Sequence, residues 1–228
     1  MNKVNNKKKI DLFIDIGVNI GQSFIKIKSI DRDVEYIGFE PSIACISYVH
    51  KLRKVNNLDK VTLFPIGLSD SIGMLKLRAY GDSDTRASLS IDQINDNQAT
   101  FTTIVPVFNL DYIIKPFEKE KLVVLKIDVE GYEFNVLKGG IELIKGAKPI
   151  ILFEVLPHHN NENKIKRSTE IYEFLTSLNY TVYHLDQNRS QINKVQSLTY
   201  NPSNYQMTDF IAINSYFDNE LLDNLITA

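Results

Sequence analysis

The segment DLFIDIGVNIGQSF sets a carboxylate, Asp15, at the end of an apolar run and follows it with Gly17, Asn19 and Gly21. Glycines at such a strand-to-helix turn let a ligand approach the backbone, and a helix start offers unpaired N–H groups. The next apolar run ends in YIGFEP, where Glu40 stands 19 residues after Gly21. A carboxylate at that place can accept hydrogen bonds from both hydroxyls of a ribose. The glycine spacing is not G-x-G-x-x-G, and Asp15 would repel a pyrophosphate, so a dinucleotide is not indicated. S-adenosylmethionine has no phosphate and carries an ammonium and a sulfonium. An acidic strand end complements it by about 1.5–3 kcal/mol, the scale of one charge-assisted hydrogen bond. The alternative is that Gly17 and Gly21 only make a tight turn.

A second segment, LVVLKIDVEGYEFNVLKGG, brings Lys126, Asp128 and Glu130 to the end of another apolar run. In open α/β sheets that edge faces the ligand crevice. Strand periodicity puts all three on one face if extension persists that far. Ionisable groups in such apolar surroundings are costly unless paired, solvated or used, so an internal Lys–Asp or Lys–Glu pair is the structural alternative. A third segment, PIILFEVLPHH, closes a strand with Glu154 and continues into His158 and His159. A hydroxyl acceptor needs a base, and Asp128, Glu130 and His158 are the candidates. A divalent cation on Asp128, Glu130 and Glu154 could instead acidify the hydroxyl, with magnesium or manganese suiting oxygen ligands. No dedicated metal motif is present, so the metal-free route is preferred. Asp111 reads as a cap, whereas Arg86 and Ser88 lie in a polar loop where they could meet a substrate or only solvent.

These residues need a scaffold. Five short, nearly continuous apolar runs (12–16, 34–39, 61–66, 122–127 and 150–155) alternate with amphipathic stretches. That is the pattern of βαβ units around a parallel sheet covered on both faces. Helices are expected over 42–56, with Ser42 as N-cap, over 133–145 with a break at Gly139-Gly140, and over 168–178. Between about 68 and 107 the rhythm lapses into two alternating strands and a polar loop, a β-hairpin insertion. YTVYHLD and QMTDFIAIN read as closing strands, and 217–227 as a terminal helix, giving a single domain over 1–228.

Composition bounds the partners. A net charge of −2 gives no basic face, so nucleic acid is not an expected partner. The single cysteine, Cys45, allows no intrachain disulfide and suits a cytoplasmic location. No apolar window reaches the length of a membrane span, and Asp11 and Asp15 interrupt the early apolar stretch before it could act as a signal. Nothing in the sequence points to an oligomeric state.

With these motifs in hand, the chain resembles the FkbM family of methyltransferases. The matching residues are FIDIGVNIGQ (13–22), GFEP (38–41), LKIDVEGYEFNVLKGG (125–140) and PIILFE (149–154), with SL (88–89) and FNLD (108–111) as shorter signatures. Val18 stands where the family usually has alanine. The resemblance covers about residues 10 to 156. It implies a Rossmann-like class I methyltransferase fold with a seven-stranded, mostly parallel sheet. It implies S-adenosylmethionine as donor, bound at Asp15, Gly17, Asn19, Gly21 and Glu40, and a hydroxyl acceptor, often on a sugar or a polyketide. An NAD-dependent oxidoreductase would need a third glycine in the first loop and no Asp15. A non-catalytic nucleoside-binding module would tolerate loss of the acidic strand ends, which are all present.

Overall fold

A computed structural model describes residues 9–81, 87–91, 93–115, 121–157, 161–186, 191–199 and 208–217. The first half runs β1 (Leu12–Ile16), α1 (Gln22–Ile30), β2 (Glu35–Phe39), α2 (Ile43–Val55) and β3 (Val61–Phe64). An inserted block follows with β4 (Gly67–Leu68), β5 (Gly73–Ala79) and β6 (Phe101–Phe108). The chain then forms α3 (Leu110–Ile113), β7 (Val123–Ile127), α4 (Glu133–Gly139), α5 (Ile141–Ala147), β8 (Ile150–Glu154) and α6 (Glu162–Ser177). It closes with β9 (Tyr180–Asp186), β10 (Gln191–Lys194) and β11 (Asp209–Asn214).

The main sheet has the order β10-β9-β11-β8-β7-β1-β2-β3. Strands β8, β7, β1, β2 and β3 are mutually parallel, and β11 runs antiparallel between β8 and β9. All five residues of β1 are buried, as its unbroken apolar pattern requires of a strand covered on both faces. Side chains of β1 alternate between two cores: Leu12, Ile14 and Ile16 face one, Phe13 the other. Among the described residues the sheet has eight strands, against the seven that the family resemblance implies. The additional one is β10, which folds back antiparallel on β9 at the sheet edge and is largely exposed. Its sequence, QINK, is too short and polar to read as a strand by pattern.

The inserted block forms its own three-stranded sheet, β4-β6-β5, in which β5 and β6 pair antiparallel. Local chemistry explains the helix boundaries near the site. The Ser42 hydroxyl accepts from the Cys45 amide at 3.4 Å and starts α2. The stretch 133–145 breaks at Gly140, as its paired glycines foretell. A Cβ on Gly139 would lie 2.0 Å from the Ser69 carbonyl, so this close approach of α4 to the insertion demands glycine. Asp111 does act as a cap, but of a different helix: its carboxylate accepts from the Glu142 and Leu143 amides at 2.9 and 2.8 Å, at the start of α5. Of the expected terminal helix over 217–227, all but Phe217 lies outside the described residues.

Candidate functional site

The site forms where the C-terminal ends of β8, β7, β1 and β2 meet, the place that sheet topology reserves for ligands. The loops after β1 and β7 touch backbone to backbone. Gly17 has φ +87°, and a Cβ there would sit 1.8 Å from the Asp128 carbonyl oxygen. The Asp128 amide in turn donates to the Ile16 carbonyl at 2.9 Å. Gly17 is therefore required for close approach between two protein segments and for a left-handed backbone. Gly21, also left-handed at φ +84°, is the N-cap of α1 and packs toward Val49 rather than lining the cleft.

On the β2 side Glu40 is fixed by two amides. Its Oε2 accepts from the Asn19 N–H at 2.9 Å and its Oε1 from the Ser42 N–H at 2.8 Å. Burial pushes its pKa up, and these two backbone bonds pull it back. Each carboxylate oxygen retains acceptor capacity. Glu40, Gly17 and Asn19 all line a cleft of about 280 Å³.

Asp15 does not line that cleft. It was expected to touch the donor directly, but its side chain is fully buried beneath the floor, in register with Gly38 and Lys126 inside the sheet. The Tyr36 hydroxyl donates to its Oδ2 at 2.6 Å, and the Lys126 ammonium lies 3.5 Å from its Oδ1. Lys126 also donates to Asp128 Oδ2 at 3.0 Å and reaches the cleft wall. Burial works against the ammonium, but Asp15 and Asp128 outweigh it and hold the Lys126 pKa above its ordinary value. Tyr36, Asp15, Lys126 and Asp128 thus form one polar chain from the interior to the cleft. Lys126 belongs to an internal ion pair and to the cleft surface at once.

Across β1 from Glu40, the cleft wall is acidic. One carboxylate oxygen from each of Asp128, Glu130 and Glu154 lies within 4.8 Å of the others. Strand extension stops at Ile127, and Glu130 reaches the cleft through a left-handed turn, with φ 53° followed by Gly131 at φ 91°. Burial, together with Asp128, Glu130 and Glu133, pushes the Glu154 pKa up to about 8. Such a group can exchange a proton near neutral pH. Three hard oxygen donors also suit a divalent cation. His158 and Arg86, two further sequence candidates, lie outside the described residues.

Several contributors had only a faint sequence signal or none. Tyr36 reads simply as a strand aromatic, and its partner Asp15 is 21 residues away. Glu133 is buried under the turn after β7, where its Oε1 accepts from the Gly131 amide at 2.9 Å, and burial raises its pKa to about 7. Its place two residues after Gly131 in VEGYE was the available clue.

A family model described as "Methyltransferase FkbM domain" matches residues 15–182. The fold is similar to that of the crystal structure of a methyltransferase FkbM from Methylobacillus flagellatus, with a TM-score of 0.56 at 15% identity. That match covers 89% of this chain but 43% of the other, so the chain spans under half of that protein's length. An rRNA methylase from Streptococcus thermophilus aligns with a TM-score of 0.47 at 7% identity, covering 91% and 87% of the two chains. None of the curated proteins compared with the sequence matches it. Among the described residues, no helix is long and apolar enough to cross a membrane.

Proposed function

The chain belongs to the FkbM methyltransferase family, and from that premise we propose that it transfers a methyl group from S-adenosylmethionine to a hydroxyl, that of a sugar or glycan. The observation that carries this reading is one cleft with Glu40 on one side of β1 and the group Asp128, Glu130 and Glu154 on the other. The donor set fits this cofactor. The amide-held Glu40 suits a ribose diol, and the carboxylates favour a cationic ligand over a phosphate.

When bound, S-adenosylmethionine supplies a methyl carbon made electrophilic by its sulfonium. Glu40 would accept from the ribose hydroxyls, with Gly17 and Asn19 lining the same cleft. At the acceptor end Asp128 or Glu130 would accept the proton of the acceptor hydroxyl as its oxygen takes up the methyl group, with S-adenosylhomocysteine as the leaving product. Lys126 already holds Asp128 Oδ2, which fixes that carboxylate in place and leaves Oδ1 to act. The same acidic wall disfavours phosphorylated acceptors, which supports a neutral small molecule or glycan over nucleic acid. A polyketide hydroxyl would meet the same chemistry.

A calorimetric titration tests the donor half: S-adenosylhomocysteine should bind at micromolar level and NAD should not. A flat titration with S-adenosylhomocysteine would remove the reading. Labelled methyl uptake by a panel of neutral glycosides tests the acceptor half, and Asp128→Asn should lower turnover while leaving donor affinity unchanged. A chelator should leave transfer intact; loss restored by magnesium would recast Asp128, Glu130 and Glu154 as metal ligands.

A further inference from the structure

Building on the reading that Asp128 and Glu130 work at the acceptor end, we infer that Ser88 and Arg167 are positioning residues that clamp the turn bearing those two carboxylates. The turn needs a clamp. Glu130 holds φ 53°, a conformation an L side chain rarely adopts, and Gly131 follows at φ 91°. Two consecutive left-handed residues relax unless surrounding contacts over-determine them.

Those contacts come from elements far away in the chain. The Ser88 hydroxyl, from the insertion, donates to the Glu130 carbonyl at 2.7 Å. Ser88 is itself fixed, because its amide and carbonyl exchange 2.9 Å hydrogen bonds with those of Arg78 and its side chain is buried. From α6, Arg167 Nη1 donates to the Gly131 carbonyl at 2.7 Å and to the Ser90 hydroxyl at 3.2 Å. The guanidinium thus ties the turn and the insertion together. Beneath them Glu133 holds the Gly131 amide, so the turn is secured on both of its polar edges. Removing Ser88 or Arg167 leaves a carbonyl without its donor and frees the peptide planes around Glu130. Asp128 and Glu130 then drift from Glu154, although neither Ser88 nor Arg167 is assigned a chemical step.

The test reads carboxylate geometry without needing an acceptor. Carbon-13 NMR of the side-chain carboxyls gives the Glu154 titration midpoint in the native protein, in Ser88→Ala and in Arg167→Met. Each variant should lower that midpoint by about one unit, because a like charge a few ångströms away raises it. Ser88→Thr, which keeps the hydroxyl, should restore it. Amide exchange at Gly131 should quicken about tenfold in the two disruptive variants. With the best acceptor from the glycoside panel, turnover should fall while donor affinity holds. Unchanged amide exchange at Gly131 in both variants would overturn the clamp, whatever the Glu154 midpoint. If Ser88→Ala does not fold, Arg167→Met carries the same decision. Glu130→Gln and Asp128→Asn separate the two ideas: full turnover in both would remove the catalytic reading, whereas the NMR result judges the clamp by itself.

Discussion

Replacing Lys126 with methionine leaves Asp15 buried without its cation. The ammonium sits 3.5 Å from Asp15 Oδ1, and its side chain is only 19% exposed, so screening is slight. At an effective dielectric of about 20 that separation corresponds to roughly 4–5 kcal/mol of attraction. Stranding one member of a buried pair costs about 3–5 kcal/mol by general experience. The Tyr36 hydroxyl remains on Oδ2 and keeps the cost near the lower bound, about 3 kcal/mol. The loss should depend on pH. Burial already raises the folded-state pKa of Asp15, and removing Lys126 raises it further. A carboxyl whose folded pKa exceeds its unfolded one binds additional protons in the native state. Its destabilising effect is therefore absent in acid and grows as pH climbs through the folded value. Urea unfolding of Lys126→Met against the native protein should show little difference near pH ~4 and the full loss near pH ~8. Adding Asp15→Asn should recover most of it at the higher pH. An equal loss at both pH values, or no rescue by the amide, would refute the claim that an uncompensated Asp15 charge is the cause.

Three other substitutions probe the rest of the site. Gly17→Ala combines a left-handed φ with a Cβ 1.8 Å from the Asp128 carbonyl, so it should cost at least about 3 kcal/mol and abolish S-adenosylhomocysteine binding. Gly73→Ala, with nothing within 4 Å of its Cβ, is the neutral control in the same thermal melt. Glu133, raised to about 7 when folded, should make stability fall as pH rises from its unfolded value through 7, by about 3 kcal/mol in all. Glu133→Gln keeps an acceptor oxygen for the Gly131 amide and should flatten that slope in denaturant titrations. If Glu154 takes part in proton transfer, activity should climb with pH toward about 8, and Glu154→Gln should lose that limb of the rate profile.

Much of this protein is legible in its sequence. Continuous apolar runs ending in Asp15, Glu40, Asp128 and Glu154 announced buried parallel strands and identified which residues stood at their tips. Local rules sufficed there, because the period of a strand and the chemistry of glycine and serine are properties of a few neighbouring residues. The Ser42 cap and the break at Gly139-Gly140 follow for the same reason. Pattern could not tell that Asp15 lies under the floor while Glu40 opens onto the cleft, since both read as acidic strand ends. That difference comes from strand order: β1 is central, so Asp15 is enclosed by Tyr36 from β2 and Lys126 from β7, two neighbours that sequence distance conceals.

The left-handed turn at Glu130 and its clamp from Ser88 and Arg167 belong wholly to the tertiary level. Their hydrogen bonds join residues 42 and 36 positions apart, and no local propensity encodes a partner that far away. The sequence thus determined which chemical groups would crown the sheet and what cofactor they suit. Only the packed structure decided which of those groups face the cleft, which neutralise one another below it, and which distant side chains bond the turn that bears Asp128 and Glu130. Charge and hydrogen-bond energies depend on separations of a few ångströms, and those separations exist only once distant segments have been brought together.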